Sequence, residues 1–178
     1  MRKIILTYGL ISGSIVAGMM FAAMPLLNSS NIDNGKGEVI GYTTMVIALS
    51  LVFFGIRSCR DNYFKGTISF GQSIKIGLLI TLIASVMYAL AWEVCYHTFM
   101  SDFAEKMASH RIEEMKASGK SAAEIASFSA EMDSFTEWYQ NPILRFGMTL
   151  LEILPVGFII TFISAAFLRK RSSVQTVA

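Results

Sequence analysis

Long stretches without charge alternate with short charged ones along this chain, and the stretches have the length of a bilayer crossing. No Asp, Glu, Lys or Arg occurs from Ile4 to Ile32, and Ile4–Leu27 alone exceeds the ~20 residues that span a ~30 Å hydrocarbon layer at 1.5 Å per residue. Val39–Ile56 is a second uncharged run. Ile76–Phe99 is a third, interrupted by Glu93 and His97, and Phe146–Leu168 is a fourth, interrupted only by Glu152. The fourth run tolerates its acid. Its thirteen Leu, Ile, Phe and Val residues favour insertion by roughly 6 kcal/mol together, against about 3 kcal/mol for a mid-span carboxylate. The pattern predicts an all-α polytopic membrane protein with spans at about 4–27, 39–56, 74–99 and 143–168, forming a single membrane domain over residues 1–178. The first run is longer than the ~7–15 residues of a signal h-region and is read as a retained helix.

Between the third and fourth spans the periodicity changes to that of an amphipathic hairpin, over about 101–140. Ser101-Asp102 offers an N-cap. Phe103, Met107, Ala108, Ile112 and Met115 give an apolar side, and Gly119 stops the helix. Ser121-Ala-Ala-Glu124 is a capping box for a second helix, along which Ile125, Phe128, Met132, Phe135 and Tyr139 follow at steps of three and four. Asn141-Pro142 ends it. Short helices are marginal in water, so this seam is expected to be buried, against its neighbour, at the membrane mouth, or under a partner. Phe128, Phe135 and Trp138 are the partner-binding candidates. His110 is expected to face solvent. Ser69-Phe-Gly-Gln72 is another capping box and opens the third span.

Basic residues orient the spans. Arg2 and Lys3 precede the first, Arg57, Arg60, Lys65 and Lys75 lie between the second and third, and Arg169, Lys170 and Arg171 follow the fourth, whereas Asn28–Glu38 holds only Lys36. Both termini and the middle loop are therefore expected in the cytoplasm, and the hairpin outside. The hairpin segment carries eight acids and four bases, which suits an exported surface. On this topology Cys59 and Cys95 stand near opposite faces, beyond the ~7 Å Cα limit of a disulfide, as free thiols. Trp92, Tyr96, Trp138 and Tyr139 match an outer aromatic belt.

Composition narrows the function classes. Of 178 residues, 53% are hydrophobic and 16% charged, against roughly 25% charged in soluble domains, which argues against both a soluble enzyme and a disordered chain. A net charge of +2 and the lack of a basic recognition helix argue against nucleic-acid binding. No serine elbow, HExxH or CxxC is present, there is no phosphate-cradling loop, and only two histidines occur. No catalytic residue, cofactor or enzymatic role is predicted, and the eleven methionines are read as packing.

Ionisable residues at membrane depth are the functional suspects. Arg145, Thr149 and Glu152 fall at i, i+4, i+7 on the fourth span, and Glu93 and His97 at i, i+4 on the third. Arg145 is expected to pair with Glu93 or Glu152 in a polar cluster facing the bundle interior. Two readings stand: an interhelical clamp that fixes packing, or a Glu152 carboxyl that takes and releases a proton during transport. Glu93 and His97 have metal-ligand spacing but lack a third ligand, so no metal is predicted. Pro155 is expected to kink the fourth helix. Gly9, Gly13 and Ala17 form a small-residue strip that permits close helix contact, within the bundle or between copies, with packing inside the bundle the expected use.

Several of these stretches occur together in a known family. They are Phe54-Gly-Ile-Arg57, Arg60-Asp61, Gly66-Thr-Ile-Ser-Phe-Gly71, Tyr88, Trp92-Glu93, Asp102-Phe103, Asn141-Pro142, and Met148-Thr149-x-x-Glu152-x-x-Pro155-Val-Gly157. In them the chain resembles a family of small bacterial membrane proteins catalogued only as a domain of unknown function, and the resemblance runs from the first span to the terminal Arg-Lys-Arg. It implies a four-helix protein of the bacterial inner membrane and brings no activity, substrate or site residue with it. The expected role is a non-enzymatic structural or accessory protein. Its partners would be the lipid bilayer and, through the hairpin, another membrane or periplasmic protein or a second copy. The alternative is a small proton-coupled transporter or channel subunit using Glu152, Glu93 and Arg145.

Overall fold

The computed structural model describes residues 1–28 and 34–169. Among them are seven helices: α1 (Arg2–Asn28), α2 (Asn34–Leu49), α3 (Leu51–Tyr63), α4 (Phe70–Phe99), α5 (Phe103–Ala117), α6 (Ala122–Gln140) and α7 (Pro142–Leu168). Among the described residues four stretches are long and apolar enough to cross a membrane: Arg2–Ala23, Val39–Tyr63, Phe70–Phe99 and Pro142–Leu168. They match the four predicted spans, with one correction. The second was expected to end at Ile56, where charge begins, but the helix runs on to Tyr63. Arg57 and Asp61 are an i, i+4 ion pair on that extra turn, which supports helix where hydropathy has already ended. The break between α2 and α3 is Ser50 alone. Its backbone stays right-handed helical, its hydroxyl donates to the Ile47 carbonyl at 2.6 Å, and the Phe53 N–H bonds back to the Ser50 carbonyl at 3.0 Å, so the turn is tightened rather than ended. The Asn28–Glu38 loop is shorter than expected, because α2 already begins at Asn34. Its residues 29–33, and Lys170 and Arg171 of the basic tail, lie outside the described residues.

The chain forms two compact units. One comprises Met1–Ala89 with the segment from Leu150 onward, the other Leu90–Thr149. The first is a helix bundle around Val16, Leu49, Val52, Ile56, Ile80 and Ile153. Small residues let its helices approach closely. A Cβ on Gly9 would stand 2.8 Å from the Ile83 Cβ, and one on Gly13 would stand 2.7 Å from the Met87 sulfur. The predicted Gly9/Gly13 strip therefore faces α4 within the bundle. Ser12 donates to the Ala48 carbonyl at 2.7 Å, which ties α1 to α2. Large apolar side chains such as Leu10, Phe54, Phe158, Ile159 and Phe167 point outward instead, a surface suited to hydrocarbon rather than water. Between α3 and α4 the chain reverses through Lys65 (φ 50°) and Gly66 (φ 83°). The Ser69–Gln72 capping box then forms as predicted, with bonds of 3.2 and 3.0 Å.

The second unit holds the end of α4, the α5–α6 hairpin and the start of α7. Gly119 closes α5 at φ 69°. Its N–H bonds to the Lys116 carbonyl, and the next N–H, of Lys120, bonds to that of Met115, which is the Schellman pattern. The Ser121–Glu124 capping box is complete. Asp102 does not cap α5 through its side chain. Its carboxylate is 2.7 Å from Lys106 Nζ, a partner that competes with the backbone amides. The predicted seam is observed: Phe128, Met132 and Phe135 are half-buried and Tyr139 is buried, while α5 buries Ala104 and Ala108. Asn141 serves two helices. It ends α6, and its Oδ1 accepts from the Ile143 and Leu144 N–H groups at 3.0 and 3.4 Å, with Pro142 in the first helical position of α7.

The α6 start is pH-linked. The N–H of Ser121, its hydroxyl and the Lys120 ammonium hold the Glu124 carboxyl below the ordinary glutamate value. A lowered acid stabilises above its unfolded pKa and loses that contribution as pH falls through the folded one. Protection factors at the Glu124 and Ile125 amides, that is, exchange corrected for its intrinsic base catalysis, should therefore be larger at neutral pH and fall on acidification. Ser121→Ala, at a cost of about 1 kcal/mol, should flatten that dependence. An unchanged profile in the variant would count against the cap.

Candidate functional site

Arg145 lies in the first turn of α7, where the helix dipole disfavours a cation, and its side chain is only 1% exposed. A charge buried this way needs a full set of partners, and two helices supply them. From α4, Glu93 takes the guanidinium in a bidentate fork, Nε to Oε1 at 2.9 Å and Nη2 to Oε2 at 2.5 Å. From α6, the Tyr139 carbonyl accepts from Nη1 at 2.9 Å. That carbonyl lies one residue before the α6 end, where helical acceptors lack intrahelical donors. The guanidinium carbon stands 3.8 Å from the centre of the Tyr96 ring and 5.9 Å from that of Tyr139, within cation–π range.

His97 completes the group. Its Nε2 is 3.4 Å from Arg145 Nη2 and 3.8 Å from Glu93 Oε2, and the side chain is 66% exposed. Around the pair the aromatic rings interlock. Trp92 Nε1 donates to the Tyr139 hydroxyl at 2.7 Å, Trp92 meets Phe103 edge-on, and Tyr139 touches Tyr96 and Phe135. Trp92, Glu93, Tyr96 and His97 fall at i, i+1, i+4 and i+5, which places them on one side of α4. That spacing was readable, but the sequence pointed to Trp92, Tyr96 and Tyr139 only as a belt. Their role in enclosing Arg145 was missed.

The expected Arg145–Glu93 pair is therefore present, with His97 beside it. Thr149 is buried, but its hydroxyl donates to the Arg145 backbone carbonyl at 3.0 Å and serves the helix rather than the guanidinium. Glu152 departs from expectation. It is exposed and belongs to the first unit. The buried line of α7 runs through Arg145, Thr149, Ile153, Gly157 and Thr161. At 100° per residue, steps of four drift round the helix, so the i+7 position falls off that line. Pro155 sits inside an uninterrupted α7. Both Glu93 oxygens accept from Arg145, so Glu93 and His97 do not form an open ligand pair, and no group of three metal-binding side chains occurs among the described residues.

Of the partner-binding candidates, Phe128 and Phe135 are drawn into the hairpin seam, while Trp138 stays 57% exposed. His110 was expected in solvent but is half-buried, with Nε2 3.6 Å from Glu114 Oε1. Cys59 and Cys95 are both buried free thiols.

Residues 7–170 match the family model described as Protein of unknown function (DUF4199). No curated protein and no solved structure matches the chain.

Proposed function

Because the chain belongs to the DUF4199 family of unknown function, which offers no activity to inherit, we propose from its geometry that it is a non-enzymatic, multi-pass structural or accessory protein of the bacterial inner membrane, holding a helical hairpin in a fixed pose for a partner. The observation that carries this reading is Arg145. One guanidinium, carried by α7, binds α4 through Glu93 and Tyr96 and α6 through the Tyr139 carbonyl. Both carboxylate oxygens and both edges of the fork are engaged. Such a group positions helices, whereas proton or solute transfer through Glu93 and Arg145 would first have to break the fork.

The basic residues flanking the spans support a cytoplasmic placement of both termini and of the α3–α4 turn, with the hairpin outside. The partner would be another membrane or periplasmic protein or a second copy. Trp138 is the anchor we assign to it, because it is an exposed aromatic one residue from the clamped Tyr139, and large aromatics dominate interface energies. A photoreactive residue at position 138, introduced into the full chain in native membranes, should crosslink a discrete product. Trp138→Ala should remove the same product from a neighbouring crosslinking position while leaving the unfolding midpoint within about 2 °C, as surface substitutions do. An undiminished product in Trp138→Ala would sink the proposal.

A further inference from the structure

The contacts of the first unit bring one set of helix ends together. Gly55 of α3 lies against Tyr8 of α1, while Ser12 reaches Ala48 at the end of α2, which α3 continues with its backbone still helical at Ser50, so α2–α3 runs antiparallel to α1. Gly9 meets Ile83 and Gly13 meets Met87, so α1 and α4 run parallel. Gly77 meets Thr161 and Gly157 meets Thr81, so α7 runs back along α4. The start of α1, the end of α3, the start of α4 and the end of α7 therefore share one end. It carries Arg2, Lys3, Arg57, Arg60, Lys65, Lys75 and Arg169, against one carboxylate among the described residues, Asp61.

Asp61 organises two of these cations. Arg60 Nε is 2.8 Å and Arg57 Nε 3.8 Å from its oxygens. Arg60 donates its Nε–H to Asp61 and Arg57 Nε lies at ion-pair distance; the Arg57 side chain is 57% exposed and that of Arg60 20%, so the NH2 groups of Arg57 above all remain for an acceptor such as a phosphate. What lies beside them identifies the ligand. Phe54 stands three residues before Arg57, on the same side of α3, and is 48% exposed on a stretch apolar enough to cross a bilayer. Tyr63, also exposed, is the amphipathic ring expected at headgroup level. A molecule seated on Arg57 must therefore carry phosphate oxygens immediately next to hydrocarbon. The excess of cations at this end favours a net negative headgroup over a zwitterionic one, whose ammonium it would repel.

We propose that Arg57 and Arg60, arranged by Asp61, form a headgroup site for an anionic phospholipid. The test uses the full chain in neutral detergent, offered phosphatidylglycerol, phosphatidylcholine or inorganic phosphate, with binding read by native mass spectrometry and thermal shift. Phosphatidylglycerol should bind selectively. Arg57→Gln/Arg60→Gln should weaken it about 30-fold, at about 1 kcal/mol for each basic group near an anionic surface. The same change on the hairpin, Lys116→Gln/Lys120→Gln, should leave it unaltered. Phosphatidylcholine binding equally well, inorganic phosphate giving the full thermal shift, or an unchanged affinity in the arginine variant would each overturn the proposal. If that variant does not fold, the wild-type chain still decides. Raising salt to about 1 M, where the other cations at this end are screened, should weaken phosphatidylglycerol binding read by thermal shift, and an affinity unchanged by salt would overturn the site.

Discussion

Arg145→Met is expected to destabilise the unit built from Leu90–Thr149 by about 3–5 kcal/mol, the cost of breaking a buried pair and leaving the other charge uncompensated. The Glu93 carboxylate would be stranded beside the Tyr96 and Tyr139 rings, and the Tyr139 carbonyl would lose its donor. Glu93→Leu should be comparably harmful, since it strands a guanidinium that is almost wholly enclosed. The double variant Arg145→Met/Glu93→Leu should recover most of the loss, because a buried pair exchanged for apolar groups of similar volume is often close to neutral. Arg145→Lys keeps the charge but not the fork, and should fall between. Both tryptophans of the chain, Trp92 and Trp138, lie in this unit, so their fluorescence reports its unfolding selectively. A double variant as unstable as the sum of the two single ones would show that Arg145 and Glu93 act independently, and the clamp would be wrong.

The legible parts of this molecule are those in which a short-range rule leaves no competitor. Hydrocarbon excludes charge, so the four spans stand out as uncharged runs. Ser69–Gln72 and Ser121–Glu124 form their capping boxes because both partners lie within one turn. Asp102 obeyed the same local rule but was taken by Lys106, a rival equally close in sequence. The end of the second span was misread because hydropathy marks where lipid stops, whereas backbone hydrogen bonding carried the helix on to Tyr63.

The candidate site divides along similar lines. Arg145 and Glu93 were predictable partners because few charges exist at that depth and neither tolerates isolation. Glu152 was placed on the wrong side because a seven-residue interval marks one face only when a helix keeps a constant contact line, and the line on α7 advances by fours. The Tyr139 carbonyl was hidden for another reason. No side-chain pattern announces which backbone acceptor a distant guanidinium will find. Likewise a lone glycine does not declare which helix it faces, and so the reciprocal glycine–threonine contact of α4 and α7 is not legible in the sequence.

That contact carries the second large effect. Across the antiparallel α4–α7 crossing, Gly77 lies under Thr161 and Gly157 under Thr81. A Cβ on Gly77 would stand 2.5 Å from Thr161 Cγ2, and one on Gly157 would run into Thr81 Cγ2 with Oγ1 at 3.0 Å. The two threonine hydroxyls, both buried, are 3.3 Å apart. Helix propensity alone would make Gly157→Ala stabilising by about 0.8–1 kcal/mol, whereas overpacking of a tight contact costs about 1–3 kcal/mol. The clash should win, so Gly157→Ala is expected to lower the unfolding midpoint and Gly157→Leu to lower it further. Gly18→Ala is the control, since nothing lies within 4 Å of the added methyl, and there propensity should act unopposed. Thr81→Ser removes the obstructing Cγ2 while keeping the hydroxyl, and in that background Gly157→Ala should recover much of its loss. Circular dichroism on the purified chain measures all four. If Gly157→Ala raised the midpoint as Gly18→Ala does, α4 and α7 would not approach as closely as the reciprocal Gly–Thr pairs require.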